Sequence, residues 1–329
     1  MLKAAKMGDV ELMKNIIVSN DTLKIPEVWL SIVDKKGRSA LHIAAINRSL
    51  TVVRFIANEI ISTIPDIQIR EQYFNATDEK GRTPLFFSAA LGFLDITKLL
   101  LNRGVNIDAR TNAFHPAPGS TPLMATAEKG HVKCFAALMD SGADIFEQRL
   151  DGADALYLAT REGRKKIIEM IVNTDNIKIV CRDIINRPTY RNRTAIHTSA
   201  FHGYLGIAHL LFEHGAELDI QDEDGFTPLI LAAHEGHFEI VKWLIEKGVS
   251  ICKKDKFGDT ALETSEINGH IEIMKYLTLL AMLDGKHRRE SKKPSAFPKA
   301  YKFKKLCDTN NSDLSRMKDL TKMINVWSS

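Results

Sequence analysis

Residues 224–237 read DGFTPLILAAHEGH, and this stretch decides the fold because its central tetrapeptide, Thr-Pro-Leu followed by a variable residue, recurs along the chain. Versions of the tetrapeptide begin at Ser39, Thr83, Thr121, Asp154, Thr194, Thr227 and Thr260. Successive starts are 44, 38, 33, 40, 33 and 33 residues apart. A recurrence over a few tens of residues is typical of folds in which similar units stack side by side. The chain is therefore interpreted as an array of seven repeats.

Two glycines mark each repeat at fixed distances from the start of the tetrapeptide. One precedes the start by two residues in six of the seven copies, and the exception is Asn192. The other follows the start by nine residues in six of the seven copies, and the exception is Arg48. Glycine adopts a positive φ at little cost, and Asn tolerates it better than most other residues. We expect the first glycine to close a tight turn at the tip of a short hairpin and the second to end a helix.

The residues between the two glycines predict the first of two helices in each repeat. Thr is a favourable N-cap, and Pro suits the first helical turn, where a missing N–H breaks no hydrogen bond. In the sixth repeat, Leu229 and the small Ala232 are expected to be buried on this inner helix. An outer helix is predicted from apolar pairs at helical spacing, 240–241 and 244–245 in the same repeat.

This pattern resembles the ankyrin repeat, whose T-P-L-H-x-A-A signature and period of about 33 residues it shares. The resemblance implies an all-α fold, a solenoid of stacked helix-turn-helix units with short hairpin fingers. The signature His survives only as His42 and His197, and the fourth repeat, at Asp154-Ala155, is the weakest copy. The expected organisation is an array over 1–283, with a degenerate N-terminal cap at 1–33, repeats starting near 34, 78, 112, 149, 189, 222 and 255, and a separate tail at 284–329.

Ankyrin arrays share no common active site, so the resemblance implies a scaffold or adaptor that binds one or more proteins through its concave face and finger loops. Exposed aromatic residues and arginines are frequent anchors of protein interfaces. The alternative is that finger residues are merely solvated. The finger positions predicted to contact a partner are Lys36, Arg38, Lys80, Arg82, Phe114, His115, Arg149, Tyr190, Arg191, Glu223, Asp224, Phe226 and Phe257.

Two further features of the array bear on binding. Three insertions, at about 57–77, 111–118 and 173–191, lengthen the repeats and are expected to be loops beside the fingers, serving either as binding elements or as tolerated growth. Charge along the fingers is also uneven, because several fingers are basic whereas an acidic block precedes the sixth repeat. Such a block steers a complementary partner or simply keeps the surface soluble. Its members are Glu217, Asp219, Asp222, Glu223 and Asp224.

Eleven histidines raise the question of metal or catalytic chemistry. Besides the two signature histidines, three histidines directly follow the second glycine of a repeat, a position at which the ankyrin repeat commonly has His. These are His131, His237 and His270. The sequence contains no G-x-x-x-x-G-K, H-E-x-x-H or G-x-S-x-G motif, and none of its four cysteines has C-x-x-C spacing. We expect no enzyme activity, no cofactor, no metal site and a monomer.

The tail carries most of the net charge. Between residues 286 and 305 nine Lys or Arg face one Glu, so this segment carries +8 while the whole chain carries +4. It resembles a nuclear-import signal, and it equally suits an anionic membrane or nucleic acid, unless it is a solvated linker. The alternative function is thus a nucleic-acid- or membrane-associated regulator that contacts its target through 286–305. Its expected contact residues are Arg288, Arg289, Lys292, Lys293, Lys302, Lys304 and Lys305.

Beyond the basic segment, an apolar stripe at helical spacing predicts a helix over 313–327. We expect this helix to cover the end of the array or part of its surface. The stripe consists of Leu314, Met317, Leu320, Ile324 and Trp327.

The sequence also suggests a compartment. No apolar run is long enough for a transmembrane helix, and the first residues lack the apolar core of a secretory signal. We therefore expect a cytoplasmic or nuclear protein with reduced thiols. Two sources are considered, a eukaryote and an intracellular bacterium that delivers the protein into a host cell as an effector. The richness in Ile, Lys and Asn suits an AT-rich genome.

Overall fold

The computed structural model describes residues 1–20, 28–61, 64–173 and 181–287, with the backbone alone described at 29–30, 60, 181–182 and 283–287. The chain divides into two compact units, Met1–Thr174 and Asp175–Ser329. The division falls in the third of the predicted insertions, inside the array expected over 1–283. Each unit is described by itself.

The first unit is built from short helices arranged in pairs, and its inner helices α1, α4, α7, α9 and α11 contact one another in succession. A π-helical turn, Ile56–Ile60, continues α5. The helices are α1 Leu2–Met7, α2 Val10–Val18, α3 Val28–Ser31, α4 Ala40–Ile46, α5 Leu50–Phe55, α6 Ile67–Phe74, α7 Pro84–Ala90, α8 Leu94–Leu101, α9 Pro122–Lys129, α10 Val132–Asp140, α11 Ala155–Arg161 and α12 Lys165–Val172.

The second unit repeats this plan, with the inner helices α14, α16 and α18 in contact. Its helices are α13 Cys181–Ile185, α14 Ala195–Phe201, α15 Leu205–Glu213, α16 Pro228–Glu235, α17 Phe238–Glu246, α18 Ala261–Ile267 and α19 Ile271–His287. Within the described ranges the chain forms no β-strand, and its β pairing there is an isolated antiparallel bridge between Val33 and Ser39. The all-α fold of stacked helix pairs is confirmed. No helix among these residues is long and apolar enough to cross a membrane.

The tetrapeptide starts the inner helices as predicted. The side-chain oxygen of Thr83 accepts a hydrogen bond from Phe86 N at 3.2 Å, and that of Thr227 accepts one from Ile230 N at 3.1 Å. In the weak fourth repeat Asp154 does the same for Tyr157 N at 2.8 Å. Aspartate is as good an N-cap as threonine, so the departure from the signature leaves the helix start intact.

The two exceptions to the glycine pattern keep the glycine conformation. Asn192 has a φ of 55° and Arg48 a φ of 56°, both in the left-handed region. For Arg48 this costs about 1 kcal/mol. Its guanidinium lies 5.4 Å from the centre of the Phe93 ring in the next repeat, a cation–π contact that offsets part of the cost.

The core lies between successive inner helices and beneath the outer helices. Leu229 and Ala232 are fully buried, as the repeat register predicted. The equivalent leucines of four earlier repeats, Leu41, Leu85, Leu123 and Leu156, are buried as well. Because the adjoining alanines are also buried, the inner helices approach closely and their hairpins come into contact.

The expectation that the insertions are loops is wrong for two of the three. The first contains α6, which buries Tyr73 and Phe74, and the third contains α13, which buries Ile184 and Ile185. Each of these two segments has apolar side chains near one end. A helix can bury these side chains against the rest of the unit, whereas an extended loop leaves them exposed. The middle insertion, 111–118, has no helix. Residues 174–180 of the third insertion lie outside the described residues.

Candidate protein-interaction surface

In six of the seven hairpin fingers, the side chain of the first residue closes the turn with hydrogen bonds. In the first finger, Asp34 Oδ1 accepts from the backbone N of Lys36 at 2.8 Å and of Arg38 at 3.0 Å. Asp78 does the same in the second finger with Lys80 N at 3.0 Å and Arg82 N at 2.9 Å. Burial raises the pKa of the Asp34 carboxyl, but the hydrogen bonds and charge of the turn outweigh it and lower that pKa to about 2.

The remaining fingers vary this closure. Asp222 and Asp255 repeat it in the sixth and seventh fingers, each accepting two backbone N–H groups at 2.8–2.9 Å. Thr111 and Thr189 take the place of the aspartate in the third and fifth, and their hydroxyls accept from Ser120 N at 2.9 Å and Arg193 N at 3.3 Å. Every one of these turns is therefore shaped by its own first side chain.

Neighbouring fingers are joined by backbone hydrogen bonds, and we call this arrangement the finger ladder. In the first unit Glu79 N donates to Lys36 O at 3.0 Å, Asn112 N to Lys80 O at 3.0 Å, and Leu150 N to Pro118 O at 3.1 Å. In the second unit Glu223 N donates to Arg191 O at 2.8 Å and Lys256 N to Asp224 O at 2.9 Å. A Cβ on Gly81 would lie 2.6 Å from Asn112 N, so this contact requires glycine.

The predicted finger residues divide by exposure. Three aromatic side chains stand out in solvent: Phe114 and Phe257 are each 80% exposed and Tyr190 is 74% exposed. Others, at the ladder surface, are exposed or half-buried. The exposed ones are Lys36, Arg191 and Glu223, and the half-buried ones are Lys80, His115, Asp224 and Phe226.

The arginines depart from the expectation that they are free to anchor a partner. The guanidinium groups of Arg38 and Arg82 each lie 2.6 Å from the aspartate that opens their own finger. Arg149 is 8% exposed, and its guanidinium lies 2.6 Å from Asp151 and 3.6 Å from Glu128. Because the fourth finger opens with Arg149 in place of an aspartate, the charged partner has moved to Asp151. These arginines stabilise the fingers themselves.

Leu150 is a finger residue that is not among the predicted contact residues, although it is 57% exposed at the tip of the fourth finger. Its position within the finger indicates that the side chain is exposed. Leu150 and Tyr190 both lie two residues before the residue that closes the turn, where four other fingers carry charged residues. Those residues are Lys35, Glu79, Glu223 and Lys256.

The loop at 111–118 holds Phe114 outward. Phe114 N donates to Asn112 Oδ1 at 3.1 Å, and Ala117 N donates to His115 Nδ1 at 3.0 Å. The His115 ring also packs edge-on against Phe86 with 5.7 Å between ring centres. Burial is the main cause that lowers the pKa of His115. His115 thus fixes the base of the loop, and Phe114 is displayed at its tip.

The signature histidines connect repeats and are not placed for catalysis. His42 Nδ1 accepts from Ser39 N at 3.2 Å, which leaves Nε2–H to donate to Arg82 O in the next finger at 3.0 Å. His197 bonds Thr194 N and Phe226 O in the same way, at 3.2 Å each. Burial lowers the pKa of both imidazoles to about 4. In the part of the chain that the structure describes, no group of three or more His, Cys, Asp or Glu side chains is placed to hold a metal ion.

The acidic block is partly neutralised within the second unit. Asp222 is buried and lies 2.9 Å from Arg193, and Asp219 lies 3.1 Å from Lys253. Glu217 and Glu223 are exposed. The block therefore offers less free charge to a partner than its sequence indicates. The predicted tail contacts, from Arg288 to Lys305, and the helix predicted over 313–327 lie outside the described residues.

Comparison with known proteins agrees with this geometry. The family model of ankyrin repeats matches three times, over residues 1–111, 109–183 and 196–284. The chain belongs to the ankyrin-repeat family. Ankyrin repeats mediate protein–protein interactions and are typically non-enzymatic modules.

Individual relatives share only part of the chain. An ankyrin repeat and KH domain-containing protein of Caenorhabditis briggsae is 31% identical over 143 residues, 43% of this chain and 5% of that protein. The inhibitor of Bruton tyrosine kinase from Xenopus laevis is 28% identical over 109 residues, 33% of this chain and 8% of that protein. The solved ankyrin repeat domain of Bcl-3 superposes with a TM-score of 0.57 at 22% identity, covering 73% of this chain and 100% of that domain. That structural likeness supports the fold.

Proposed function

We propose that this protein is a scaffold or adaptor whose finger ladders bind a protein partner. The observation that carries the proposal is the display of large apolar side chains at finger tips. In the first unit these are Phe114 and Leu150 on adjacent fingers, and in the second Tyr190 and Phe257. Solvent-exposed aromatic side chains on a folded surface are the residues that most often become buried anchors in an interface.

The ladder suits this role because it holds the tips rigidly. Burying one large apolar side chain contributes about 1.5–3 kcal/mol, and ordering a flexible loop subtracts from that gain. Here the turns are closed by Asp or Thr side chains and joined to one another by backbone hydrogen bonds. The anchors are thus presented with little remaining freedom to lose.

Positive charge on the fingers beside the apolar anchors of the first unit indicates what kind of partner segment this unit binds. Exposed Lys35 and Lys36 and half-buried Lys80 lie on fingers one and two, where Glu79 is the acidic residue of the tips. Complementary charge speeds association and fixes orientation. A segment with an apolar residue for the Phe114–Leu150 region and acidic residues beside it fits this surface.

Photo-crosslinking in the full chain tests the proposal. A photoreactive phenylalanine analogue replaces Phe114 or Phe257, and in a control protein it replaces Lys98, an exposed residue of outer helix α8. We expect a shared crosslinked protein from the two finger positions, identified by mass spectrometry. Crosslinks that form at position 98 and not at the fingers would contradict the proposal.

Affinity for the crosslinked protein then measures the anchors. The double variant Phe114→Ala/Leu150→Ala should bind at least about tenfold more weakly, since each lost anchor removes more than 1 kcal/mol. Val18→Ala removes an apolar side chain that is 72% exposed and lies away from the fingers, and it serves as the control. Equal affinities for the double variant and the wild type would exclude the fingers as the binding surface.

The alternative function rests on the charge of the segment 286–305. A nucleic-acid- or membrane-associated regulator would lose target binding steeply with added salt, and deletion of 288–329 would abolish that binding. A scaffold that acts through its fingers keeps its partner after the same deletion. For the compartment, we propose the cytoplasm or nucleus, including that of a host cell if the source is an intracellular bacterium.

A further inference from the structure

Successive repeats fit together over the glycine that ends each inner helix. A Cβ on Gly92 would lie 2.5 Å from the ring of His131, and one on Gly236 would lie 2.6 Å from the ring of His270. Gly203 is covered in the same way by His237. At Gly130 the covering side chain is Arg164, at 2.9 Å. We call the space above such a glycine its stacking slot, and the next repeat fills it.

The histidines that fill the slots also bond to the repeat before them. Nε2 of His237 donates to Phe201 O at 2.9 Å, and Nε2 of His270 donates to His234 O at 2.8 Å. One turn further on, Phe238 packs edge-on against Tyr276 of the following repeat, with 5.4 Å between ring centres. Phe201 contributes its backbone carbonyl to the stacking contact, and Phe238 contributes its side chain.

The seventh repeat presents the same features without an occupant among the described residues. No heavy atom of those residues lies within 4 Å of a Cβ built on Gly269 or on the finger glycine Gly258. The residues that correspond to Phe201 and Phe238 are Ile267 and Ile271, which are 71% and 60% exposed. We call Gly258, Gly269, Ile267 and Ile271 the terminal face. An exposed stacking surface of this kind needs a cover, because the end of a repeat array requires a polar outer face for solubility.

Charge around the terminal face is acidic. Four carboxylates border it, against Lys256 and Lys275. Glu266 and Glu272 are exposed, and Asp259 and Glu263 are half-buried. At the signature position, Glu263 stands where earlier repeats place a histidine that bonds to the next finger. A basic segment is complementary to this border.

We propose that residues 313–327 of the same chain dock on the terminal face as an additional helical layer. Their stripe of Leu314, Met317, Leu320, Ile324 and Trp327 supplies apolar surface at helical spacing for Ile267 and Ile271. The segment that connects them to α19 contains most of the nine basic residues of 286–305, which complement the acidic border. Exposed ion pairs contribute only about 0–1 kcal/mol each, so the apolar contact supplies most of the docking free energy.

The connecting chain is long enough for this arrangement. Residues 288–312 separate α19 from the stripe. A chain of about 25 residues reaches at most about 80–90 Å between its ends, whereas packed helices lie only about 8–10 Å apart. The stripe therefore reaches the terminal face of its own chain without stretching, and its effective concentration there is in the millimolar range.

Hydrogen exchange of the full-length protein, read by mass spectrometry, tests the docking. We expect the amides of 313–327 to exchange at least about tenfold more slowly than in a free peptide of the same sequence, at a protein concentration where the chain is a monomer. The double variant Ile267→Glu/Ile271→Glu should remove this protection. Both side chains are exposed, so the fold should be retained, and unchanged exchange in α14 and α16 verifies it.

The control is Met7→Glu/Val18→Glu, which places the same charges on exposed apolar sites of the first unit and should leave 313–327 protected. Exchange of 313–327 at the free-peptide rate in the wild type would overturn the proposal. So would protection that survives Ile267→Glu/Ile271→Glu. Protection that disappears on dilution would instead assign the terminal face to a second copy of the chain. None of these outcomes depends on the finger anchors.

Discussion

The two units use the same finger position for different ion pairs. In the first unit Arg38 and Arg82 each pair with the aspartate that opens their own finger, Asp34 and Asp78, at 2.6 Å. In the second unit Arg193 occupies the same position but reaches Asp222 of the next finger, at 2.9 Å. One kind of pair closes a single hairpin, and the other ties two hairpins together.

The cause lies at the first residue of the finger. The fifth finger opens with Thr189, which caps the turn with its hydroxyl but carries no charge to hold Arg193. The sixth finger opens with Asp222, but its corresponding downstream position is Phe226 and not an arginine. An unpaired cation and an unpaired carboxylate therefore lie on adjacent fingers, and they pair. A repeat array can thus move a stabilising contact from within a repeat to between repeats by a change at one position.

The largest expected effect in either unit comes from the buried leucine of the inner helix. Leu229→Ala in the second unit and Leu85→Ala in the first should each lower the free energy of unfolding by about 2–5 kcal/mol, because each leaves a cavity in a closed core. Urea unfolding followed by circular dichroism measures both. The exposed Leu150→Ala is the control and should change stability by less than about 0.5 kcal/mol. A neutral Leu229→Ala would show that the repeat register is misassigned.

A second expected effect is a loss of stability in acid, with one histidine responsible in each unit. The pKa of His42 and His197 is about 4 in the folded protein, whereas an exposed histidine titrates near 6.5. The unfolded chain therefore binds more protons between these values, and stability that is fully present above about pH 6.5 is lost as the pH falls towards about 4. The loss should be on the order of 2–3 kcal/mol for each histidine.

Unfolding in urea at a series of pH values between 7 and 4.5 measures this loss. Replacing one histidine by asparagine, His42→Asn or His197→Asn, should flatten the dependence contributed by that unit, since asparagine does not titrate. The control is His234→Asn, at an exposed histidine. If the slope of stability against pH is the same in His42→Asn, His197→Asn and the wild type, the two imidazoles are not the buried neutral groups described.

The smallest expected effect comes from removing the arginine of an ion pair, and it tests the difference between the two kinds of pair. Arg82 and Arg193 are a matched pair, because the carboxylates they contact are both 1% exposed. Arg82→Ala and Arg193→Ala should each cost about 1–3 kcal/mol, since each leaves a buried carboxylate without its cation. Arg38→Ala should cost less than about 1 kcal/mol, because Asp34 is 21% exposed.

Hydrogen exchange distinguishes the two kinds of pair. Loss of Arg193 should speed exchange at Glu223 N, which lies in the ladder contact between fingers five and six, as well as in its own turn. Loss of Arg38 should speed exchange mainly within the first finger. A finding that Arg193→Ala is as mild as Arg38→Ala, with no effect on Glu223 N, would remove the distinction between the units.

Much of the fold followed from the sequence because it depends on local chemistry. Thr227, the glycines and even the substitutes Asn192 and Arg48 act through their own backbone, so their roles are visible in one repeat at a time. The helix of the first insertion was not foreseen, because α6 forms to bury Tyr73 and Phe74 against other parts of the unit. Packing of that kind has no signature in a short window.

The candidate interaction surface was predictable only in part, because tertiary packing also determines which finger side chains are exposed. The positions of Phe114 and Phe257 at turn tips indicated exposure, and both are exposed. Arg149 has the same kind of position but is buried, because Glu128 of the preceding inner helix and Asp151 draw its guanidinium inward. Asp151 is close to Arg149 in the sequence, but Glu128 lies in the preceding inner helix and is brought close only by the fold.

The backbone hydrogen bonds of the finger ladder affect which residues of this surface can change during evolution. Backbone hydrogen bonds join the fingers next to Leu150 and Tyr190, so the side chains of these two residues are not required to hold the neighbouring fingers in place. Replacement of Leu150 or Tyr190 by almost any other residue should leave the hairpins where they are while altering which partner is recognised. Within one hairpin, the tip side chains thus determine which partner is bound, whereas the backbone and the turn residues determine the fold. The tip residues can therefore diverge while the turn residues remain constrained.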